Sequence, residues 1–216
     1  MTEFEIKPEF TVTDEQALRS LFGPTHELAL QKCQTSLDKH AQAFIGRSPF
    51  LCIGTQGAEG KADVSPRGDP VGFVKILDQH TIAIPERPGN NRLDSLVNIL
   101  SNPSVGLFFI IPGFDDTLRV NGQASLSTDP EVLQDMRVNG RDAKLAIVVT
   151  VDTVFLHCAK AFRRSRLWDP ELFQDRGQMP SLMHMILDQS SGAPDNEGDM
   201  RKLDEDLEAT YKKTLY

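Results

Sequence analysis

Hydrophobic and polar positions change period near Pro49. Upstream, the spacing is helical. Asp14 is placed to cap a short helix reaching residue 21, which Gly23-Pro24 closes. A longer helix is predicted over residues 25–45, with Leu30, Cys33, Leu37, Ala41 and Phe44 near one face. Residues 1–12 read as extended or irregular. Downstream, the pattern is that of strands. Residues 50–55 and 61–65 flank a turn and predict a hairpin, with Pro66-Arg67-Gly68-Asp69-Pro70 breaking its second strand. Residues 73–77 and 81–84 predict another hairpin around Asp78-Gln79.

A helix inserted among these strands opens after Arg87-Pro88-Gly89-Asn90-Asn91. Asn91 is its predicted N-cap, with Asp94 three residues on, and Leu93, Leu96, Val97 and Leu100 form its predicted apolar face. Asn102-Pro103 stops it. Residues 104–111 are a continuous apolar run, as in a strand buried on both faces. Residues 117–126 alternate, with Leu118 and Val120 opposite Arg119 and Asn121, and Gly122 a candidate bulge. A short helix from Asp129-Pro130 to residue 138 precedes a long strand over 145–158, bent near Asp152. Helices at 180–187 and 200–215 follow, the last with Leu203, Leu207 and Tyr211 on its packing face, separated by a polar loop at 190–199.

Short hairpins exclude a doubly wound parallel sheet. The expected fold is mainly β with peripheral helices (α+β), an antiparallel, Greek-key-like β-barrel, closed or nearly so. One structural domain is expected, with an N-terminal helical segment at 1–48, the barrel at 49–169 and a C-terminal helical extension at 170–216.

The 216 residues carry a net charge of −8 and a pI near 5.1, which argues against a nucleic-acid binder that blankets phosphates. Cys33, Cys52 and Cys158 are odd in number and form no C-x-x-C, as expected in a reducing, cytoplasmic setting. The first residues, MTEFEIKPEF, do not resemble a secretory signal. The apolar run at 105–111 is too short to span a bilayer, so no membrane partner is expected. P-loop, H-E-x-x-H, G-x-S-x-G and G-x-G-x-x-G motifs are absent.

Four elements could bind an anion, each also readable as a solvated charged turn or face. Ser65-Pro66-Arg67-Gly68-Asp69 displays a hydroxyl and an arginine beside a glycine. The loop at 87–95 offers Arg87, backbone N–H groups, Arg92 and the Ser95 hydroxyl at a helix N-terminus. Arg119 and Asn121 share one strand face. Lys160, Arg163, Arg164 and Arg166 lead into Trp168, the sole tryptophan, a combination suited to an anionic planar ligand.

These motifs stand in order: FLCIGT and then GKADVSPRGD, RPGNNRLDSLVNILSNP, TLRVNG, and HCAKAFRRSRLW. The ordered set resembles the pyridoxamine 5′-phosphate oxidase-related FMN-binding proteins with a flavin-reductase-like split β-barrel, over roughly residues 20–170, and is most similar to the branch bearing SPRGD. The resemblance implies FMN at the interface of a homodimer and a small-molecule redox substrate. It implies flavin contacts from Val64, Ser65, Pro66 and Arg67, and phosphate contacts from Asn91, Arg92 and Ser95. It also implies approach of Arg119 from the other subunit, and packing of Trp168 near the flavin. Leu93-Asp94-Ser95 stands where oxidases proper carry a basic pair, and the C-terminal Arg/His substrate motif has no match, so vitamin B6 oxidation is not implied. Two alternatives remain open at this stage. One is a non-catalytic flavin-binding or sensor protein. The other is a split-barrel haem binder using His157.

Overall fold

A computed structural model describes residues 4–215. The extended reading of residues 1–3 falls outside the described residues. The chain divides into two compact units, one ending at Cys33 and the other beginning at Gln34.

In the first unit, a 3-10 turn at Pro8–Phe10 precedes α1 (Glu15–Ser20) and α2 (Glu27–Gln31). The predicted cap of α1 is present: Asp14 accepts the Ala17 N–H at 2.8 Å. The single helix expected over 25–45 is instead two pieces. Its first piece is α2. The second, α3 (Lys39–Ile45), belongs to the second unit and is capped by Asp38. Between them Gln34 pairs with Val154 as an isolated bridge, so the local backbone bonds to the sheet rather than continuing a helix.

The second unit contains seven strands: β1 (Phe50–Gln56), β2 (Ala62–Gly68), β3 (Lys75–Asp78), β4 (Thr81–Pro85), β5 (Ser104–Ile110), β6 (Thr117–Ser127) and β7 (Ala146–His157). They form one antiparallel sheet in the order β2-β1-β5-β6-β7-β4-β3. β5, β6 and β7 are a meander, and the hairpins β1–β2 and β3–β4 attach to its two sides. The remaining elements are α4 (Asp94–Ser101), α5 (Pro130–Leu133), α6 (Lys160–Ser165), α7 (Leu182–Asp188) and α8 (Glu197–Thr214). α7 and α8 begin on side-chain caps from Ser181 and Asn196. α8 therefore starts inside the stretch read as a loop.

One hydrophobic core holds Leu51 and Ile53 of β1 together with Ile82 and Ile84 of β4, although three strands separate β1 from β4. That requires the sheet to coil around a shared interior. The outer hairpins meet without a ladder: Arg67 of β2 lies 3.2 Å from Glu86, one residue past β4. The architecture is the expected α+β split barrel.

Three local expectations need correction. Pro66 does not end β2, which runs on to Gly68. β2 is an edge strand, where a residue lacking an N–H is accommodated on the unpaired side. β5 is not buried on both faces. Val105, Leu107 and Phe109 enter the core while Gly106, Phe108 and Ile110 are half-buried on the outer face. α4 is rotated from its predicted face: Ser95, Leu96 and Ile99 are buried, whereas Val97 and Leu100 are 57% and 75% exposed. Its rotation is set by two polar fasteners, Ser95 to Asp63 of β2 at 3.1 Å and Asn98 to Thr55 of β1 at 3.0 Å.

The bulge expected at Gly122 is present, with the register shifting between Asn121 and Gly122 and Asp152 left as the extra residue of β7. A Cβ at Gly122 would lie 2.1 Å from the Thr150 carbonyl oxygen, a backbone atom that cannot swing away. Gly122→Ala is expected to destabilise the protein by about 3 kcal/mol. Gly54→Ala, whose Cβ would meet Gly106 O at an ordinary 3.6 Å, is expected to be far milder. Urea denaturation of both variants checks the contrast.

Candidate functional site

A cavity of about 830 Å³ lies within the second unit, between β2, the segment leaving β4 and the loop that leads into α4. Period-two alternation builds its first wall. Asp63, Ser65 and Arg67 fall on one half-buried face of β2, and Val64 and Pro66 alternate with them on the more exposed face. The guanidinium of Arg67 is held along the strand, donating through Nη1 to Ser65 Oγ and to Pro66 O.

Two ion pairs stand side by side on the next wall. Arg67 faces Glu86 at 3.2 Å, with 15% and 20% of the side chains exposed. Arg87 Nε donates to Asp69 Oδ2 at 2.7 Å, and its Nη2 donates to Met136 O at 2.6 Å. Arg87, expected to help cradle a phosphate, is thus engaged by Asp69, whose side chain is almost fully buried. The Arg67–Glu86 pair is different. Arg67 Nε and Glu86 Oε2 are both buried, 3.2 Å apart. Both the charge and the N–H of Arg67 favour the ionised carboxylate. Burial raises the Glu86 pKa above its ordinary value, and Arg67 offsets only part of that rise.

The loop supplies the open end. Asn91 is not the helix cap. It adopts a left-handed backbone at φ 58°, and the helix starts at Asp94 behind Leu93, itself left-handed at φ 61°. A leucine in that region is strained by about 1–2 kcal/mol, held there by the structure around it. The Asn90 carboxamide oxygen accepts the Arg92 N–H at 3.1 Å, taking the local role expected of a cap. Arg92 is 73% exposed and reaches Asp94 at 2.7 Å, a contact that water screens strongly. The Ser95 hydroxyl donates to Asp63. Lys144, which precedes β7, also lines the cavity, is exposed, and makes no ion pair among the described residues.

The cavity walls carry four cations, Arg67, Arg87, Arg92 and Lys144, and four carboxylates, Asp63, Asp69, Glu86 and Asp94. The charges are not mixed evenly. Arg67 and Arg87 are paired and mostly buried, whereas Arg92 and Lys144 are exposed. Such a site can take a ligand with an anionic group beside the exposed cations and an uncharged body against the paired ones.

Of the residues expected to bind a cofactor, Val64, Ser65, Pro66, Arg67, Asn91, Arg92 and Ser95 all line this one cavity. Arg119 and Trp168 do not. Arg119 lies on the outer sheet face, 5.1 Å from the Phe155 ring centroid. Trp168 donates its indole N–H to Phe114 O at 2.8 Å and packs against Phe162. His157 closes β7 opposite Thr117. Among the described residues no group of three or more His, Cys, Asp or Glu side chains is arranged to hold a metal ion. No helix there is long and apolar enough to cross a membrane.

Asp63, Glu86 and Lys144 were not anticipated. Asp63 carried a usable signal, since it falls two and four residues before Ser65 and Arg67 on the same strand face. Glu86 and Lys144 carried none, because only the folded sheet brings residues 67, 86 and 144 together.

Among families, the pyridoxamine 5′-phosphate oxidase model matches residues 37–158. No curated protein matches the chain. Solved structures similar to it include HupZ of Group A Streptococcus, at 17% identity over 55% of this chain and 92% of that one, with a TM-score of 0.45. An FMN-binding protein from Syntrophomonas wolfei matches at 9% identity over 66% and 96%, with a TM-score of 0.42. HutZ, the heme storage protein from Vibrio cholerae, matches at 14% identity over 55% and 93%, with a TM-score of 0.39. At these scores the likenesses carry no functional weight.

Glu86 gives a pH prediction. A carboxyl with a raised folded-state pKa contributes most stability below its unfolded pKa, and that contribution is lost as pH rises through the folded value. Glu86→Gln does not titrate. The melting temperature of the variant, relative to the parent, is therefore expected to rise steadily from about pH 4 upward until Glu86 is fully ionised. Thermal melts of both proteins between pH 4 and pH 8 measure it, and a constant difference would refute it.

Proposed function

The chain belongs to the pyridoxamine 5′-phosphate oxidase family, and from that premise we propose that it is an FMN-dependent oxidoreductase acting on a small-molecule redox substrate. The observation that carries this reading is the single cavity lined by β2, the Asn- and Gly-containing loop, the exposed Arg92 and Lys144 and two mostly buried ion pairs. Its volume falls within the roughly 300–1,000 Å³ usual for small-ligand sites.

FMN bound there would supply the electron and hydride chemistry. The residues of the chain bind and orient it. Arg92 and Lys144 hold the phosphate by charge-assisted hydrogen bonds, with Asn91 beside them. Ser95, whose proton is directed to Asp63, fixes α4 against β2 and so sets the distance between the phosphate end and the strand. β2 forms the floor for the ring, with Ser65 holding the Arg67 guanidinium in place.

The remaining expected contacts belong to a second copy. Arg119 lies in a half-buried outer row with Cys52, Phe108 and Phe155, residues that are cross-strand neighbours. Phe50 of β1 and Val64 of the neighbouring β2 are exposed on the same face. Association through this face would cover that apolar surface and bring Arg119 toward the cavity of the other subunit. Sedimentation velocity is expected to find a dimer at micromolar concentration, and a monomer that binds FMN at full affinity would refute the shared site.

The purified protein is expected to be yellow and to release FMN on denaturation. A folded, colourless protein that takes up no added FMN would overturn the reading. Arg92→Ala and Lys144→Ala should each weaken FMN binding by about 1.5–3 kcal/mol, with little change in melting temperature because both side chains are exposed. Stopped-flow reduction by NADH or NADPH, followed by reoxidation with oxygen or an acceptor, distinguishes an oxidoreductase from a flavin binder that does not turn over.

A further inference from the structure

α4 is apolar on two sides. Leu96 and Ile99 are buried in the core, while Val97 and Leu100 are exposed. Burial of apolar area alone therefore does not decide how the helix is turned, because a roll that exchanged one pair for the other would cover side chains of similar size. The turn matters to the cavity. α4 carries the loop that lines it, and Leu93, just before the first helical residue, is held in a left-handed backbone. A leucine stays in that region only where its surroundings over-determine it.

A polar attachment at two points supplies the decision. Ser95 and Asn98 are three residues apart and so project from one face of the helix. Thr55 and Asp63 are register partners in the β1–β2 hairpin. Ser95 Oγ donates to Asp63 Oδ2 at 3.1 Å, and Asn98 Nδ2 donates to Thr55 Oγ1 at 3.0 Å. One helical turn thus sits across one cross-strand pair. A single bond would let α4 pivot, whereas two fix its rotation and its position along the hairpin. Ser95 and Thr55 are both buried, so water competes little for either bond.

Gly57 completes the arrangement. It lies just past β1, and a Cβ there would stand 2.8 Å from Asn98 Oδ1. Its backbone is not left-handed, so space rather than conformation calls for glycine. The missing side chain leaves room for the carboxamide that reaches Thr55.

We infer that Asn98, seated on Thr55 and Gly57, is a positioning residue of the cavity, holding α4 in the rotation that presents Arg92 to the anionic group of the ligand. This rests on the flavin reading, in which Arg92 holds the phosphate, and deepens it. Thr55, Gly57 and Asn98 do not line the cavity, so they act on the ligand through α4 and its loop.

Affinities for FMN and riboflavin, followed by flavin fluorescence, test the assignment beside melting temperatures of the ligand-free proteins. Gly57→Ala is the mild probe, because the atom it meets is the end of a flexible side chain that can swing aside. It is expected to lower the ratio of FMN to riboflavin affinity about three- to tenfold, with little change in melting temperature. Thr55→Val should lower the ratio likewise, and Thr55→Ser, which keeps the hydroxyl, should retain it. In an Arg92→Ala background, Gly57→Ala should lower the ratio no further, since both changes act at one phosphate contact. An unchanged ratio in Gly57→Ala would overturn the assignment while leaving the flavin reading intact. An undiminished further loss in the double variant would also overturn it, because Asn98 would then act on the phosphate by a route other than Arg92. Failure of the folded, unmodified protein to bind either flavin would overturn the flavin reading and this assignment together.

Discussion

Two adjacent ion pairs close this barrel where no hydrogen-bonded ladder does. Arg67 and Asp69, two residues apart at the end of β2, meet Glu86 and Arg87, consecutive residues leaving β4. β2 and β4 lie far apart in the strand order, so these contacts tie together opposite sides of the coiled sheet. The cavity exists because the closure is made by side chains rather than by a backbone ladder. A ladder would bring the strands within about 5 Å and leave no room. Removing one partner from a buried pair strands the other, so the closure tolerates single changes poorly.

The same closure gives the site its polarity. Pairing of Arg67 and Arg87 leaves Arg92 and Lys144 as the exposed cations of the cavity lining. A uniformly basic cavity would attract any polyanion. In this one Glu86 and Asp69 already balance their arginines, so only Arg92 and Lys144 present exposed positive charge. The overall negative charge of the chain is therefore compatible with a site for an anionic ligand.

Much of the framework was legible in the sequence because it rests on local rules. Alternation marked β6, Gly122 marked the bulge, and Asp14 and Asp129 marked helix starts. The ordered motifs located the cavity: seven of the nine expected cofactor residues line it. Failures came where a long-range contact outweighed a local preference. The helix read over 25–45 breaks because Gln34 bonds to Val154. α4 turns its apolar Val97 and Leu100 outward because Ser95 and Asn98 are fastened to β2 and β1. Pro66 does not stop β2 because the strand lies at an edge, a position that only the assembled sheet defines.

The sequence by itself determined the strand inventory, the family and the residue types available to bind an anion, since periodicity, turn chemistry and motif order are properties of neighbouring residues. Only the tertiary structure decided what each charge does. Arg87 is bound to Asp69, Ser95 is bound to Asp63, and Arg67 is balanced by Glu86, whereas Lys144 remains accessible. The physical reason is that a charge acts through its partner and its exposure to water. Here the partners lie from 18 to 32 residues apart in the chain, beyond the reach of any local pattern.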